Sequence, residues 1–264
     1  MDGFWTGMAA PALVDWCEPN YAVTPYVAEF WNTVSSGYIA VLGVFGAWVG
    51  RRVGLEARFV RSFWVLAVVG LGSVAFHGTL LRVPQALDEL PMVYLGLLAC
   101  WAVVYRSQEA ADGARTGWMM AAYAGAFTIA YWLAEEAFAL FLATYSLAVA
   151  FIAIRSMYLS WFTAAPARLA GLLLMAALGF LGTLTFFWIP EHLVLECDHP
   201  AQALQLHSLW HLGSGTGTYV WIIWAICDRE RAKGRAPVAD AAVWPGWADT
   251  LAVRMGGIFP KVDG

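Results

Sequence analysis

The chain has 264 residues, of which 61% are apolar and only 13% charged, about half the charged share of an ordinary soluble domain. That composition excludes a typical water-soluble enzyme or binding module and points to a membrane protein. A formal net charge of −4 offers no basic excess for nucleic acid.

Residues 1–27 carry Asp2, Asp15 and Glu18, no Lys or Arg, and no continuous apolar core. A cleaved signal peptide is not expected, and the first helix inserts as its own anchor. Apolar stretches follow at 28–49, 62–81, 87–105, 117–134, 137–162, 168–189 and 207–227, each close to the roughly 20 residues that cross a hydrocarbon core as helix. The expected fold is therefore all-α, a polytopic bundle of seven transmembrane helices forming one domain over 28–228 with short connectors and no internal repeat. After Cys227 the chain runs DRERAKGRAP, and the tail, 229–264, loosens into Ala, Gly, Pro and Trp, which reads as mostly irregular and exposed.

Charge sets the orientation. Arg51, Arg52, Arg58, Arg61, Arg106, Arg115, Arg168, Arg229, Arg231, Lys233, Arg235, Arg254 and Lys261 fall in the first, third and fifth connectors or the tail, which the positive-inside bias places in the cytosol. The other side has Arg82 beside many Asp and Glu. The N-terminus is expected to be lumenal or extracellular and the C-terminus cytosolic. Arg155, near the cytosolic end of the fifth helix, reads as a snorkelling side chain.

With parity set, polar residues acquire depth. The second helix ends GSVAFHGTLL, so His77 lies about one turn from its lumenal end with Ser73 at i−4 on the same face. The third starts there with QALDELPM, bringing Asp88 and Glu89 to its first turn, and the seventh opens HSLWH, with His207 and His211 one turn apart. Three imidazoles, a hydroxyl and a carboxylate thus converge on one leaflet. Three neutral imidazoles, two of them at i and i+4, suit a zinc ion with its fourth position left for water. Such a water is acidic enough to attack a carbonyl at neutral pH. This is not HExxH, because Ser208 follows His207 where that motif has Glu, so the proton shuttle must come from another helix. One of the adjacent pair Asp88 and Glu89 supplies chemistry and the other serves the helix start; spacing does not decide which. Ser73 reads equally as a packing residue or as a contact to substrate.

The stretches DWCEPNYAVTPYVAEFWNTVS, GSVAFHGTL, DELPMVY and HSLWH, in this order over roughly residues 14–228, resemble the alkaline ceramidases, seven-helix intramembrane zinc amidases. The resemblance implies zinc ligands His77, His207 and His211, Asp88 as the acid/base that protonates the leaving amine, and Ser73 as a partner of the oxyanion. Glu89 then keeps the helix-start role. It also implies calcium bound by Asp15, the Trp16 carbonyl, Glu18, Asn20 and Glu29. Those hard oxygens suit the ion, although spacing alone reads as an acidic loop. A Cys17–Cys197 disulfide, permitted by compartment, is favoured by the same resemblance. His192 and His199 read as solvated loop residues.

The resemblance further implies hydrolysis of ceramide or phytoceramide to a sphingoid base and a fatty acid, in the endoplasmic reticulum or Golgi membrane, with no obligatory protein partner. Three alternatives stand beside it: a lipid-sensing receptor of the progestin or adiponectin receptor type with a zinc site, a transporter or structural protein with an incidental one, and an enzyme running mainly in synthesis.

Overall fold

The computed structural model describes residues 3–7, 9–107, 113–163 and 165–234; the expected irregular tail beyond 234 lies outside them. Among the described residues the chain is all-helical, with two isolated bridges and no strand. The helices are α1 (Phe30–Arg52), α2 (Ala57–Thr79), α3 (Arg82–Val104), α4 (Gly113–Leu133), α5 (Ala137–Phe162), α6 (Ala167–Ala177) and α7 (Leu206–Ala232). α6 continues directly into π-helical turns over Leu178–Gly182, Leu184–Trp188 and Pro190–Val194. Five rods, namely α1, α2, α3, α5 and the whole of Ala167–Val194, are long and apolar enough to cross a membrane.

The packing follows from side-chain size. Phe59, Phe63 and Leu66 of α2 are buried with Ile39 and Leu42 of α1 and Ile222 and Trp224 of α7. A second cluster joins Leu90 and Val93 of α3 to Phe127 and Tyr131 of α4 and Phe141 of α5. Outward faces stay apolar: Trp118 is 78% exposed and Trp161 84%, which suits a lipid solvent. At the join of α6 and α7, a Cβ at Gly217 would meet the amide nitrogen of Phe180 at 2.5 Å. Only a residue without a side chain allows that approach, a common basis of helix contact in membranes.

Three expectations about helix ends change. α2 begins at Ala57, and α3 begins at Arg82 rather than near 87, so Asp88 and Glu89 lie beyond its first turn and neither serves the helix start. α7 runs to Ala232, and Asp228, Arg229 and Glu230 of the DRERA stretch are buried. They are buried because they are paired. Asp228 accepts from Arg106 at 2.6 Å and from Arg231 at 3.1 Å. Glu56, in the α1–α2 connector, meets Arg58 at 2.9 Å, Arg229 at 3.0 Å and Lys233 at 2.7 Å.

At the opposite end of the bundle, residues 9–29 fold over the tips of the helices. Ala12 donates to the Leu80 carbonyl, Ala28 to that of Gly78 and Glu29 to that of His77. These bonds seat the loop on the end of α2 and carry Glu29 to His77. A disulfide between Cys17 and Cys197, with Cα atoms 4.9 Å apart, ties the same loop to the segment after α6.

Candidate metal centre

Ser73 and His77 stand one turn apart near the end of α2, His207 and His211 in the first turns of α7, and all four are buried. The three rings face one another, with centroids 5.1, 4.9 and 4.6 Å apart, and one ligand atom from each lies within 4.8 Å of the others. The hydrogen bonds show which atom. Nδ1 of His77 is held by Glu29 Oε2, and Nδ1 of His211 lies 2.9 Å from Ser35 Oγ and 3.2 Å from Ser36 Oγ. His207 Nδ1 faces Glu191 Oε2 at 3.3 Å. With Nδ1 bonded in His77 and His211, Nε2 is the nitrogen those two rings can offer. His77 Nε2 is buried without a hydrogen-bond partner among the described residues. An orphaned acceptor of this kind among three imidazoles fits a metal ion.

The carboxylate expected from another helix is present. Asp88, half-buried on α3, lies within hydrogen-bonding reach of Ser73, and Ser36 donates to Ser73 Oγ at 2.9 Å. Glu89 turns away from that pair. It is buried, accepting from Gln85 at 2.7 Å and from Tyr131 at 2.7 Å, while Arg82 donates to the Tyr131 hydroxyl at 2.6 Å. In place of its expected helix-start role, Glu89 ties α3 to α4. Ser73, Asp88, His207 and His211 line one open pocket. A second, apolar pocket between α3, α5, α6 and α7 shares Met92, Leu95, Tyr145, Phe180 and Thr218 with it.

The five residues expected to hold calcium all lie in the N-terminal loop before α1. Asp15 accepts from Asn20 Nδ2 at 2.9 Å and lies beside Glu29. Both Glu18 oxygens accept amides of the first turn of α1, from Trp31 at 2.7 Å and Asn32 at 2.9 Å, so Glu18 caps that helix from outside it. Glu29 is fully buried, accepting from the Trp16 amide at 3.0 Å and Asn32 Nδ2 at 3.0 Å. Burial pushes the Asp15 carboxyl up, and the charge of Glu29 adds to that. Burial also raises Glu18, against its two amide bonds. Burial alone would raise Glu29, but the imidazole of His77 and three hydrogen bonds hold it below the ordinary carboxylate range. Two carboxylates side by side in a partly buried loop leave negative charge that a hard cation would offset.

Several residues of the centre were not singled out from sequence. Asn32 is the hub of α1: its Nδ2 reaches Glu29, its Oδ1 accepts from Ser208 at 2.8 Å, and its carbonyl accepts from Ser35 and Ser36. The available signal was Asn32, Ser35 and Ser36 at helical spacing in an otherwise apolar run. Tyr145 lines both cavities. His192 is no loop residue. It sits in the π-helical part of α6 against Trp16, Trp188 and Phe138. His199, by contrast, caps an exposed turn, its Nδ1 accepting from the Ala201 amide at 3.1 Å.

Known proteins share this arrangement of sequence. A family model described as Ceramidase matches residues 9–254. The chain is 32% identical over 263 residues to alkaline ceramidase 3 of Mus musculus, covering 92% of this chain and 93% of the relative. It is 28% identical over 256 residues to a putative alkaline ceramidase of Dictyostelium discoideum, covering 84% and 88%. It is 36% identical over 102 residues to an alkaline ceramidase of Arabidopsis thaliana, covering 37% and 38%.

Proposed function

Because this chain belongs to the alkaline ceramidase family, we propose that it hydrolyses the amide bond of ceramide-type sphingolipids, releasing a sphingoid base and a fatty acid, at a zinc centre held by His77, His207 and His211. The observation that carries the reading is the set of three buried imidazoles, each engaged or faced at Nδ1, beside the Ser73–Asp88 pair in one cavity.

Bound zinc supplies a Lewis acid for the amide carbonyl and a water acidic enough to act as nucleophile near neutral pH. The protein supplies the rest. Asp88 takes the proton of the attacking water and returns it to the amide nitrogen, which leaves poorly until protonated. Ser73, held between Ser36 and Asp88, is placed to turn its hydroxyl proton from the carboxylate onto the developing oxyanion. The apolar cavity continuing from the site, with Met92, Leu95 and Phe180 at the junction, suits a hydrocarbon chain, while the polar head stays at the histidines.

Asp15, the Trp16 carbonyl, Glu18, Asn20 and Glu29 are the residues we assign to calcium. Glu29 would then serve both centres, since it also holds His77. The helices cross the membrane seven times with the histidine end lumenal and the basic end cytosolic, in endoplasmic reticulum or Golgi membrane. The distribution of Lys and Arg supports that orientation.

The test is purified protein in detergent, offered ceramides, phytoceramides and non-lipid amides with and without a zinc chelator. Release of sphingoid base that stops on chelation and resumes with zinc is expected. Zinc-independent release, or none from any lipid amide, overturns the reading; ligand binding without turnover points instead to a lipid-sensing receptor.

A further inference from the structure

We infer that Glu191, in the π-helical part of α6, is a positioning residue for the metal centre, holding His207 through Nδ1 as Glu29 holds His77. The inference rests on the zinc reading above.

Each of the other two imidazoles has its Nδ1 fixed by a partner from α1 or the residue before it. His207 is the exception. Its Nδ1 is buried and makes no hydrogen bond among the described residues, and the same is true of Glu191 Oε2. These two atoms lie 3.3 Å apart, on side chains 5% and 3% exposed. A carboxylate buried this deeply is costly unless its lone pairs are met. A small rotation of the imidazole would turn Nδ1–H onto Glu191 and satisfy both orphans. That bond selects the tautomer with Nε2 free and directs Nε2 at the space shared with His77 and His211.

The surroundings hold Glu191 in place for that role. The Cys17 amide donates to Glu191, while the preceding amide, that of Trp16, donates to Glu29 at 3.0 Å. Two successive amides of one loop therefore hold the two carboxylates that face two ligands. The Trp16 indole stacks on His207 with centroids 3.8 Å apart, which closes the ring's other face. The Cys17–Cys197 bridge anchors this loop to the segment just after Glu191. α6 reaches this position through wide π turns, a feature often found at functional sites.

The experiment compares wild-type protein, Glu191→Gln and Glu191→Ala, each purified with its disulfide intact. Zinc affinity is measured by chelator competition without lipid substrate, and melting of the zinc-free forms serves as the fold control. Glu191→Ala is expected to weaken zinc binding by about 10- to 100-fold, the usual cost of losing an outer partner of a metal ligand. Glu191→Gln, which keeps the shape and an acceptor but not the charge, is expected to fall between it and wild type, and it carries the test if the alanine variant does not fold. Zinc affinities of the folded variants within about twofold of wild type overturn the inference, because a merely space-filling Glu191 would alter melting and leave zinc binding alone. If wild-type protein itself binds no zinc, the zinc reading fails and this inference with it. If wild type binds zinc and the variants match it, only the role of Glu191 is lost.

Discussion

The carbonyl oxygen of Leu87 on α3 lies where a side chain of Gly72 on α2 would begin: a Cβ at Gly72 would stand 2.0 Å from it. The next residue of each helix belongs to the centre, Ser73 on one and Asp88 on the other. Close backbone contact is what brings hydroxyl and carboxylate within reach. Gly72→Ala must therefore push α3 away, and a shift of about 1 Å in a reacting group can cost on the order of 10²-fold in rate. We expect kcat to fall by about that factor with zinc content unchanged, read by metal analysis and sphingoid-base release on the same sample. Unaltered kcat would show that the Ser73–Asp88 approach is not needed.

Asp88→Asn keeps the shape of the side chain and removes its capacity to carry a proton. The expected loss is about 10²- to 10⁴-fold in kcat, with KM and zinc content near wild type. A loss confined to KM would assign Asp88 to binding instead.

Calcium removal should act at a distance from the histidines, through Glu29. Chelation of calcium with zinc buffered at saturation is expected to lower both melting temperature and turnover, and Asp15→Ala to abolish the response to calcium. Since burial raises the Asp15 carboxyl above its ordinary value of 3.8, protons compete with calcium there sooner than at a free carboxyl, and calcium affinity should weaken as the pH is made acidic. Identical melting curves with and without calcium would remove the site.

The Cys17–Cys197 bridge joins residues 180 apart in sequence and anchors the loop over the centre. Cys17→Ser is expected to cost about 2–5 kcal/mol of stability, measured by unfolding in detergent. Parallel melting of wild type with and without reductant would contradict this.

At the other end of the bundle, burial would raise the Glu56 carboxyl, yet Lys233, Arg229 and Arg58 hold it below 4.5. A carboxyl depressed on folding stabilises the protein above its unfolded value, and that contribution is lost as pH falls through the folded one. Wild-type melting temperature should thus decline as pH drops below about 4.5, whereas Glu56→Gln should start lower at neutral pH and decline less. Equal slopes would mean the network does not depend on Glu56.

Much of the centre could be read from residue order. His77, His207 and His211 were legible because helical spacing puts a pair on one face and charge parity puts the third at the same end; both signals are local. Glu89 was misread because the start of α3 was set by hydropathy. Arg82, Pro84 and Gln85 look like a loop to a hydropathy scale, yet they form helix because Arg82 reaches Tyr131 and Gln85 reaches Glu89 and the Leu13 amide. The DRERA stretch was read as exposed tail for a similar reason. Its charges are tolerated inside only because Glu56, Arg106 and Thr163 arrive from connectors and helix ends elsewhere in the chain.

Composition, apolar run length and the bias of Lys and Arg suffice to define a helical membrane chain, and four short motifs point to its family and to the three imidazoles. Tertiary structure alone decides which side chain faces Nδ1 of each imidazole, that Glu29 and Glu191 are held by successive amides of one loop, and that Gly72 lets Asp88 meet Ser73. The physical reason is range. Periodicity and hydropathy act through neighbours on one helix, whereas a buried hydrogen bond depends on which distant atom packing delivers to it, and only the folded chain specifies that.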